Sequence, residues 1–319
     1  MRAVTYQKFG PPEVLQVKEL EKPVPQDHEV LIRIYATTVE KEDPGLRKSP
    51  GLNGIIKPKR KILGMEFSGI IEEVGESVTA FKANDEVYGN TGMSMGTYAE
   101  YICVSEHSGI AIKPQNLNFE QACSFTNGGL TALPFLMEQG NITKNQKVLI
   151  NGASGSVGSV AVQIAKYFKT EVTAVCSTKN MELVQSLGAD KIIDYTRQDF
   201  IKTEEKYDII FDVAGKSSYR KCKRILNPQG VFLTTVPTPA ILFQMLYTAR
   251  FGNKKVKFIA AGLRKAGKKA KDLNLLRNMI VEGNFKAVIC KTYSLEQIAD
   301  AHTFVENEKK TGSVVISIK

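Results

Sequence analysis

The strongest constraint on this chain lies between Val148 and Lys166, which read VLINGASGSVGSVAVQIAK. An apolar strand pattern enters a glycine-rich turn and leaves as a helix pattern, with Val157, Val160, Ala161, Ile164, Ala165 and Phe168 recurring on one face. Strand, small-residue turn and helix, in that order, let backbone amides approach a pyrophosphate at a helix N-terminus. Gly155 and Gly158 take the second and third glycine positions of the dinucleotide fingerprint. Ala153 replaces the first, and Gly152 just ahead of it is expected to relieve the turn. Ser154 and Ser156 add hydroxyl donors. A glycine-rich turn that binds nothing is the competing reading, and the motif alone does not remove it.

The surroundings fit a doubly wound α/β sheet. From about residue 120 onward, strand patterns at 147–151, 171–176, 191–195, 207–213 and 231–236 alternate with helix patterns. One such helix, 181–187, is stopped by Gly188; another, 217–226, runs into an expected turn at Asn227-Pro-Gln-Gly230. The first 120 residues are β-rich, and the tail ends in a strand near 313–318. At 319 residues the chain is long enough for two cores.

Composition narrows the class further. Apolar residues make up 43% and charged residues 24%, and no run approaches the roughly 20 apolar residues that span a bilayer. The opening MRAVTYQKFG has no apolar run behind its charge, so a secretory leader is not expected and a cytoplasmic address is. Cys103, Cys123, Cys176, Cys222 and Cys290 are dispersed, which argues against a disulfide framework and a structural zinc site. The formal charge of +10 is concentrated: eight basic and no acidic residues fall within 252–271, leaving 10 − 8 = +2 elsewhere. Such a run, like Lys57-Pro-Lys-Arg-Lys61, is expected to be a solvated face, with an anionic partner as the alternative.

The second strand of the series ends Ala174-Val-Cys-Ser-Thr-Lys179, without the carboxylate that folds of this kind place on a ribose 2′-hydroxyl. Ser177 and Lys179 can instead bond a 2′-phosphate, at about 1.5–3 kcal/mol per charge-assisted bond. NADPH is therefore the expected cofactor; a Lys179 that simply points into solvent is the alternative.

With these residues in view, the whole chain resembles the medium-chain dehydrogenase/reductase superfamily, in its zinc-free quinone oxidoreductase branch. The segments FGPPEVL, ILGMEFSGIIEEVG, GTYAEY, LTAL, LVQSLGADKIIDY, FDVAG and TGSVVISI occur in that family's order. The run VTAVCSTKN looks especially like its enone and quinone reductases. The resemblance implies a GroES-like β-barrel from residues 1–122 and 286–319, a Rossmann domain from 123–285, and an active site in the cleft between them. Zinc-dependent relatives carry Gly-His-Glu where this chain has Gly64-Met65-Glu66, and a cysteine near Thr38-Val-Glu40, where none occurs. His28, His107 and His302 show no ligand spacing, so no metal site is expected.

The implied activity is NADPH-dependent, zinc-independent reduction of quinones or α,β-unsaturated carbonyls. By resemblance Ser154, Gly155, Ser156, Val157 and Gly158 hold the pyrophosphate, and Ser177, Lys179 and Tyr195 surround the 2′-phosphate. Thr131, Val236 and Gly312 lie near the nicotinamide. No catalytic acid or base is identified; Asp43 is read as structural. The apolar stretch PAILFQMLYTARF (239–251) is expected to line the acceptor cleft, with a subunit or membrane-surface contact as alternatives. A homodimer is implied and DNA is not. Two other readings stay open: a nucleotide-sensing or RNA-binding relative with weak turnover, supported by the basic run, and a zinc-free NADP-linked alcohol dehydrogenase.

Overall fold

A computed structural model describes residues 1–283, 285–307 and 310–318. By spatial contact the chain divides into two compact units, Met1–Asn127 with Gly262–Glu282 and Ala287–Lys319, and Gly128–Ala261 with Gly283–Lys286.

The first unit is built on an antiparallel system centred on the long strand Glu29–Val39. Its alternation buries Val30, Ile32 and Ile34 while Arg33 stays exposed. One edge of that strand pairs with Glu66–Val74, which leads through Glu86–Asn90 to Gly109–Ile112; Tyr101–Ser105 also pairs with it. On the far side the tail strand Ser313–Ser317 pairs antiparallel with it and carries Ile289–Ser294. The tail thus enters the same core as the first hundred residues, with Val314 and Ile316 packed beside Val39, Phe67 and Ile71.

The second unit is a six-stranded parallel sheet in the order Lys191–Asp194, Glu171–Cys176, Lys147–Asn151, Tyr207–Asp212, Leu226–Thr234, Lys255–Lys257. The chain order reverses direction between Lys147–Asn151 and Tyr207–Asp212, and sheets of this kind bind ligands at the strand C-termini beside such a switch. The α/β class with a Rossmann sheet and an antiparallel β-unit is as expected. Two local expectations change. The helix expected at 217–226 shortens to Tyr219–Cys222 followed by a 3-10 turn, Lys223–Ile225. Asn227–Gly230 is not a turn between elements but lies inside the strand Leu226–Thr234. The register jumps there from Tyr207↔Leu226 to Ile209↔Val231, and Gln229 adopts φ 68°, so a bulge absorbs the extra residues and Pro228 needs no ladder partner.

Candidate functional site

The glycine turn is anchored to its neighbour strand: the amides of Gly152 and Ala153 both donate to Val175 O at 3.1 Å. The left-handed backbone falls on Gly152, with φ +89°, so Ala153 needs no glycine conformation and its methyl is fully buried. The two later glycines differ in kind. A Cβ on Gly158 would stand 2.0 Å from Gly152 O and 2.8 Å from Ala153 Cα, so that glycine lets the helix Ser156–Tyr167 pack on the turn. A Cβ on Gly155 would meet only Gly152 O at 3.6 Å, an ordinary contact, and its φ of −77° suits any residue. Nothing among the described residues requires glycine at 155, and the space over the helix N-terminus stays open. First-turn amides such as those of Val157 and Gly158 have no acceptor within the helix. That combination fits a pyrophosphate.

Ser154 and Ser177 are joined by a residue that the sequence reading missed. Asn180 Nδ2 donates to Ser154 Oγ at 2.9 Å and lies 3.4 Å from Ser177 Oγ, tying the turn to the CSTK tip. The available signal was an Asn immediately before the helix Met181–Ser186. Lys179 is exposed in the 3-10 turn Thr178–Asn180. Tyr195 is 48% exposed beside it, and its amide donates to Cys176 O at 3.0 Å. Ser154–Gly158, Ser177, Lys179 and Tyr195 thus gather at the C-terminal ends of three adjacent strands.

A carboxylate does lie nearby, on the adjacent strand. Asp194 is buried, accepts from Thr196 N at 2.9 Å, Thr196 Oγ1 at 2.7 Å and the Thr178 hydroxyl, and faces Arg197 Nε at 3.6 Å. The Thr178 bond, then the Thr196 bonds, hold its carboxyl below the usual range. Its charge is committed to these donors.

At the switch point Asn151 Nδ2 donates to Asp212 Oδ1 at 2.8 Å, and Asp212 also accepts from the amides of Gly215 and Ser217 at 3.1 and 2.9 Å. Burial pushes the Asp212 carboxyl up, and these donors oppose the rise. Val236 lies just past the strand Leu226–Thr234 and is exposed; Gly215 is glycine because a Cβ there would meet Val236 Cγ2 at 2.4 Å. Both line a hollow of about 190 Å³ with Ser217, Thr234, Thr238 and Gln244. Thr131 is half-buried on the helix Phe119–Leu133, one turn beyond Gly128, whose missing Cβ lets that helix approach Ser156 O and Val160. Gly312 belongs to the first unit, where φ +68° and a Cβ position 2.1 Å from Val288 O require glycine for the tail's own path.

The segment 239–251 forms a helix, Pro239–Phe251, started by Thr238, whose hydroxyl accepts the Ile241 amide at 3.2 Å. Phe243 and Leu246 are 70% and 76% exposed on it. The basic run is not wholly a solvated face, which corrects that expectation. Lys269 is buried, and its Nζ donates to Asn90 Oδ1 at 2.9 Å and Gly262 O at 3.0 Å. Its helix, Ala266–Gly283, packs into the first unit, so burial lowers the Lys269 pKa.

That lysine is the outer member of a buried chain in the first unit. Asn90 Nδ2 donates to Glu66 Oε1 at 2.8 Å, and Thr38 Oγ1 donates to Glu66 Oε2 at 3.1 Å. Burial, then Asp43 and Glu40, push the Glu66 carboxyl well up. Asp43 is fully buried at the start of the helix Asp43–Lys48, accepts the Glu40 amide at 2.8 Å, and is pushed up to about 8 by burial.

The chain matches two family profiles, one described as the alcohol dehydrogenase GroES-like domain over residues 26–114 and one as zinc-binding dehydrogenase over 187–316. It is 30% identical over 330 residues to 2-methylene-furan-3-one reductase of Solanum lycopersicum, covering 99% of this chain and 79% of that protein. It is 28% identical over 337 residues to human quinone oxidoreductase, covering 99% and 97%. The solved quinone oxidoreductase of Coxiella burnetii superposes with a TM-score of 0.86 at 26% identity, covering 100% of this chain and 99% of that one. The residues where zinc-dependent relatives bind their catalytic metal do not fit zinc. No cysteine occurs near Thr38-Val-Glu40, Met65 is a poor donor, Glu40 accepts from Lys310 Nζ at 2.6 Å, both oxygens of Glu66 are bonded to Thr38 and Asn90, and no three-ligand group of His, Cys, Asp or Glu forms there among the described residues. From sheet order, nucleotide turn and donor set together, the chain belongs to the medium-chain dehydrogenase/reductase superfamily, in the quinone and enone oxidoreductase branch that lacks the catalytic zinc site.

Proposed function

We propose that this protein is an NADPH-linked, zinc-independent reductase of quinones or α,β-unsaturated carbonyls. The observation that carries the reading is the donor set at Thr38-Val-Glu40, Met65 and Glu66, in which both carboxylates are already bonded to protein donors. Without a Lewis acid to polarise an ordinary alcohol or ketone, the acceptor must already be electron-poor, and quinones and conjugated enones are. Relatives named for 2-methylene-furan-3-one reduction and quinone reduction support the same class.

When bound, NADPH supplies the hydride. Ser154–Gly158 hold its pyrophosphate through first-turn amides and hydroxyls, and Ser177, Lys179 and Tyr195 receive the 2′-phosphate. Asn180 keeps those two subsites in register by bonding Ser154 and Ser177. Thr131, Val236 and Gly312 are assigned to the nicotinamide end. An enone held there would accept that hydride at its β-carbon and a proton from water at its α-carbon. The protein contributes orientation and a preformed electrostatic setting. The unit of residues 128–261 with 283–286 takes the nucleotide-binding role and the unit of residues 1–127, 262–282 and 287–319 the acceptor-binding role, in a cytoplasmic homodimer.

The test is oxidation of NADPH and of NADH, followed by absorbance, against a quinone panel and an enone panel. The reading requires turnover with at least one panel and preference for NADPH. No turnover with either, combined with salt-sensitive RNA binding, would replace it with the nucleotide-sensing alternative. Oxidation of simple alcohols with NADP would replace it with the alcohol dehydrogenase alternative.

A further inference from the structure

Two of the chain's three histidines, far apart in sequence, meet on the surface of the first unit. His28 lies just before the strand Glu29–Val39, and His107 lies just after Tyr101–Ser105. Those strands are antiparallel partners, with Glu29 opposite Ser105, so their ends coincide. Between the imidazoles stands Glu106. His28 Nδ1 is 3.6 Å and His107 Nε2 4.0 Å from the same carboxylate oxygen, Glu106 Oε1. The two rings are 5.9 Å apart, and the three ligand atoms all lie within 4.8 Å of one another.

The carboxylate is fixed while the imidazoles are free to adjust. Glu106 Oε2 accepts the amides of Thr79 and Ala80, each at 2.9 Å, and its side chain is 2% exposed. Its own amide donates to His28 O at 3.0 Å. The two backbone donors hold the Glu106 carboxylate in one orientation, with Oε1 turned toward the imidazoles. The histidine side chains are 61% and 76% exposed. An anchored carboxylate with one oxygen turned toward two accessible imidazole nitrogens is the arrangement of a three-ligand metal site with an outer layer of hydrogen bonds already in place. With zinc-to-ligand bonds near 2.0–2.1 Å, tetrahedral ligand atoms stand about 3.3 Å apart, and small rotations of the exposed imidazoles close the remaining gap.

We propose that His28, Glu106 and His107 form a binding site for a zinc-class transition dication, separate from the Glu66 region and assigned to no other role. One imidazole lone pair from each histidine and one carboxylate oxygen would bind the ion, and water would complete its coordination. The ion would pin together the ends of two paired strands and the segment at Thr79–Ala80. Nitrogen and carboxylate donors favour zinc, copper or nickel over magnesium or calcium.

Zinc alone is titrated into the full chain against a metallochromic chelator, with wild type, His28→Gln, His107→Gln and the double variant. Wild type should take up one zinc per chain with a dissociation constant below about 100 μM. Each single variant should weaken binding at least about tenfold, the double variant should abolish it, and zinc should raise the Tm of wild type only. Cobalt-loaded protein should lack a thiolate charge-transfer band. Saturation weaker than about 100 μM would overturn the assignment. So would unchanged affinity in the double variant, or a thiolate band showing that cysteines take the ion. Folding of each variant is checked by its metal-free Tm, which should match wild type because both side chains are exposed.

Discussion

Gly155 and Gly158 sit three residues apart in one turn, and replacing each by alanine should give opposite phenotypes. At 155 the new methyl meets a single protein atom at 3.6 Å with an unstrained φ of −77°. Chain-entropy gain of about 0.4–1 kcal/mol is offset by the poorer N-cap that alanine makes, a cost of similar size. Tm should therefore stay within about 3 °C of wild type. The methyl instead fills the space over the helix N-terminus. Losing one charge-assisted bond to the pyrophosphate, about 1.5–3 kcal/mol, should weaken NADPH binding by about 10–150-fold. At 158 the methyl would stand 2.0 Å from a backbone carbonyl that cannot rotate away. Overpacking of that kind costs about 1–3 kcal/mol or more, so Gly158→Ala should lower Tm by at least about 4 °C or fail to fold. Thermal melts and NADPH fluorescence titration separate the two. A Gly155→Ala protein that binds NADPH as tightly as wild type would refute the assignment of this turn to the pyrophosphate.

Ser177→Ala and Lys179→Ala should each weaken NADPH about tenfold or more while leaving NADH nearly unchanged; equal losses for both cofactors would remove the 2′-phosphate assignment. Lys269→Met should destabilise the first unit by about 1–3 kcal/mol, because Asn90 and Gly262 lose a buried donor, whereas a lysine on a solvated face would leave the melt unmoved. Stability should also fall as pH rises from 6.5 toward 8. Asp43 has its carboxyl raised from 3.8 to about 8, so the native state holds a proton that the unfolded chain releases, and the stabilisation is lost as pH climbs through the folded value. The slope from this group is at most about 1.4 kcal/mol per pH unit, and Asp43→Asn should flatten the denaturation profile across that interval. His302 acts in the opposite sense at lower pH. Burial, then Arg47, push it from 6.5 down to about 3, so its neutral form stabilises the fold above 6.5 and that contribution is lost as pH falls. Replacing His302 by Leu should reduce acid sensitivity between pH 6 and 4, measured as the change of the urea midpoint with pH, which a cavity cost common to both pH values does not alter.

Much of the second unit was legible because its signals are local. Alternating strand and helix periods, a glycine turn in the right setting and the stop at Gly188 each involve neighbouring residues. The bulge at Asn227–Gly230 was not, since Pro and Gly inside a run mark a turn or a bulge equally well, and only pairing with Tyr207–Asp212 decides between them. Asn180 was missed because its value lies in spanning two loops, and Lys269 because a charge run carries no sign of which member a packed helix will bury.

The sequence by itself determined the α/β class, the position of the glycine turn, the lack of a carboxylate on the second strand's tip, Met65 in place of a metal-binding histidine, and the lack of a cysteine near Thr38-Val-Glu40. These depend on residue type and short-range order. Tertiary structure alone decided why Ala153 is tolerated, which glycine of the turn the packing requires and which it leaves open, and how Glu66 reaches Lys269 through Asn90. It also decided that His28 and His107 flank Glu106. Each of these is a relation between segments far apart along the chain, set by strand register and packing, which no local pattern encodes.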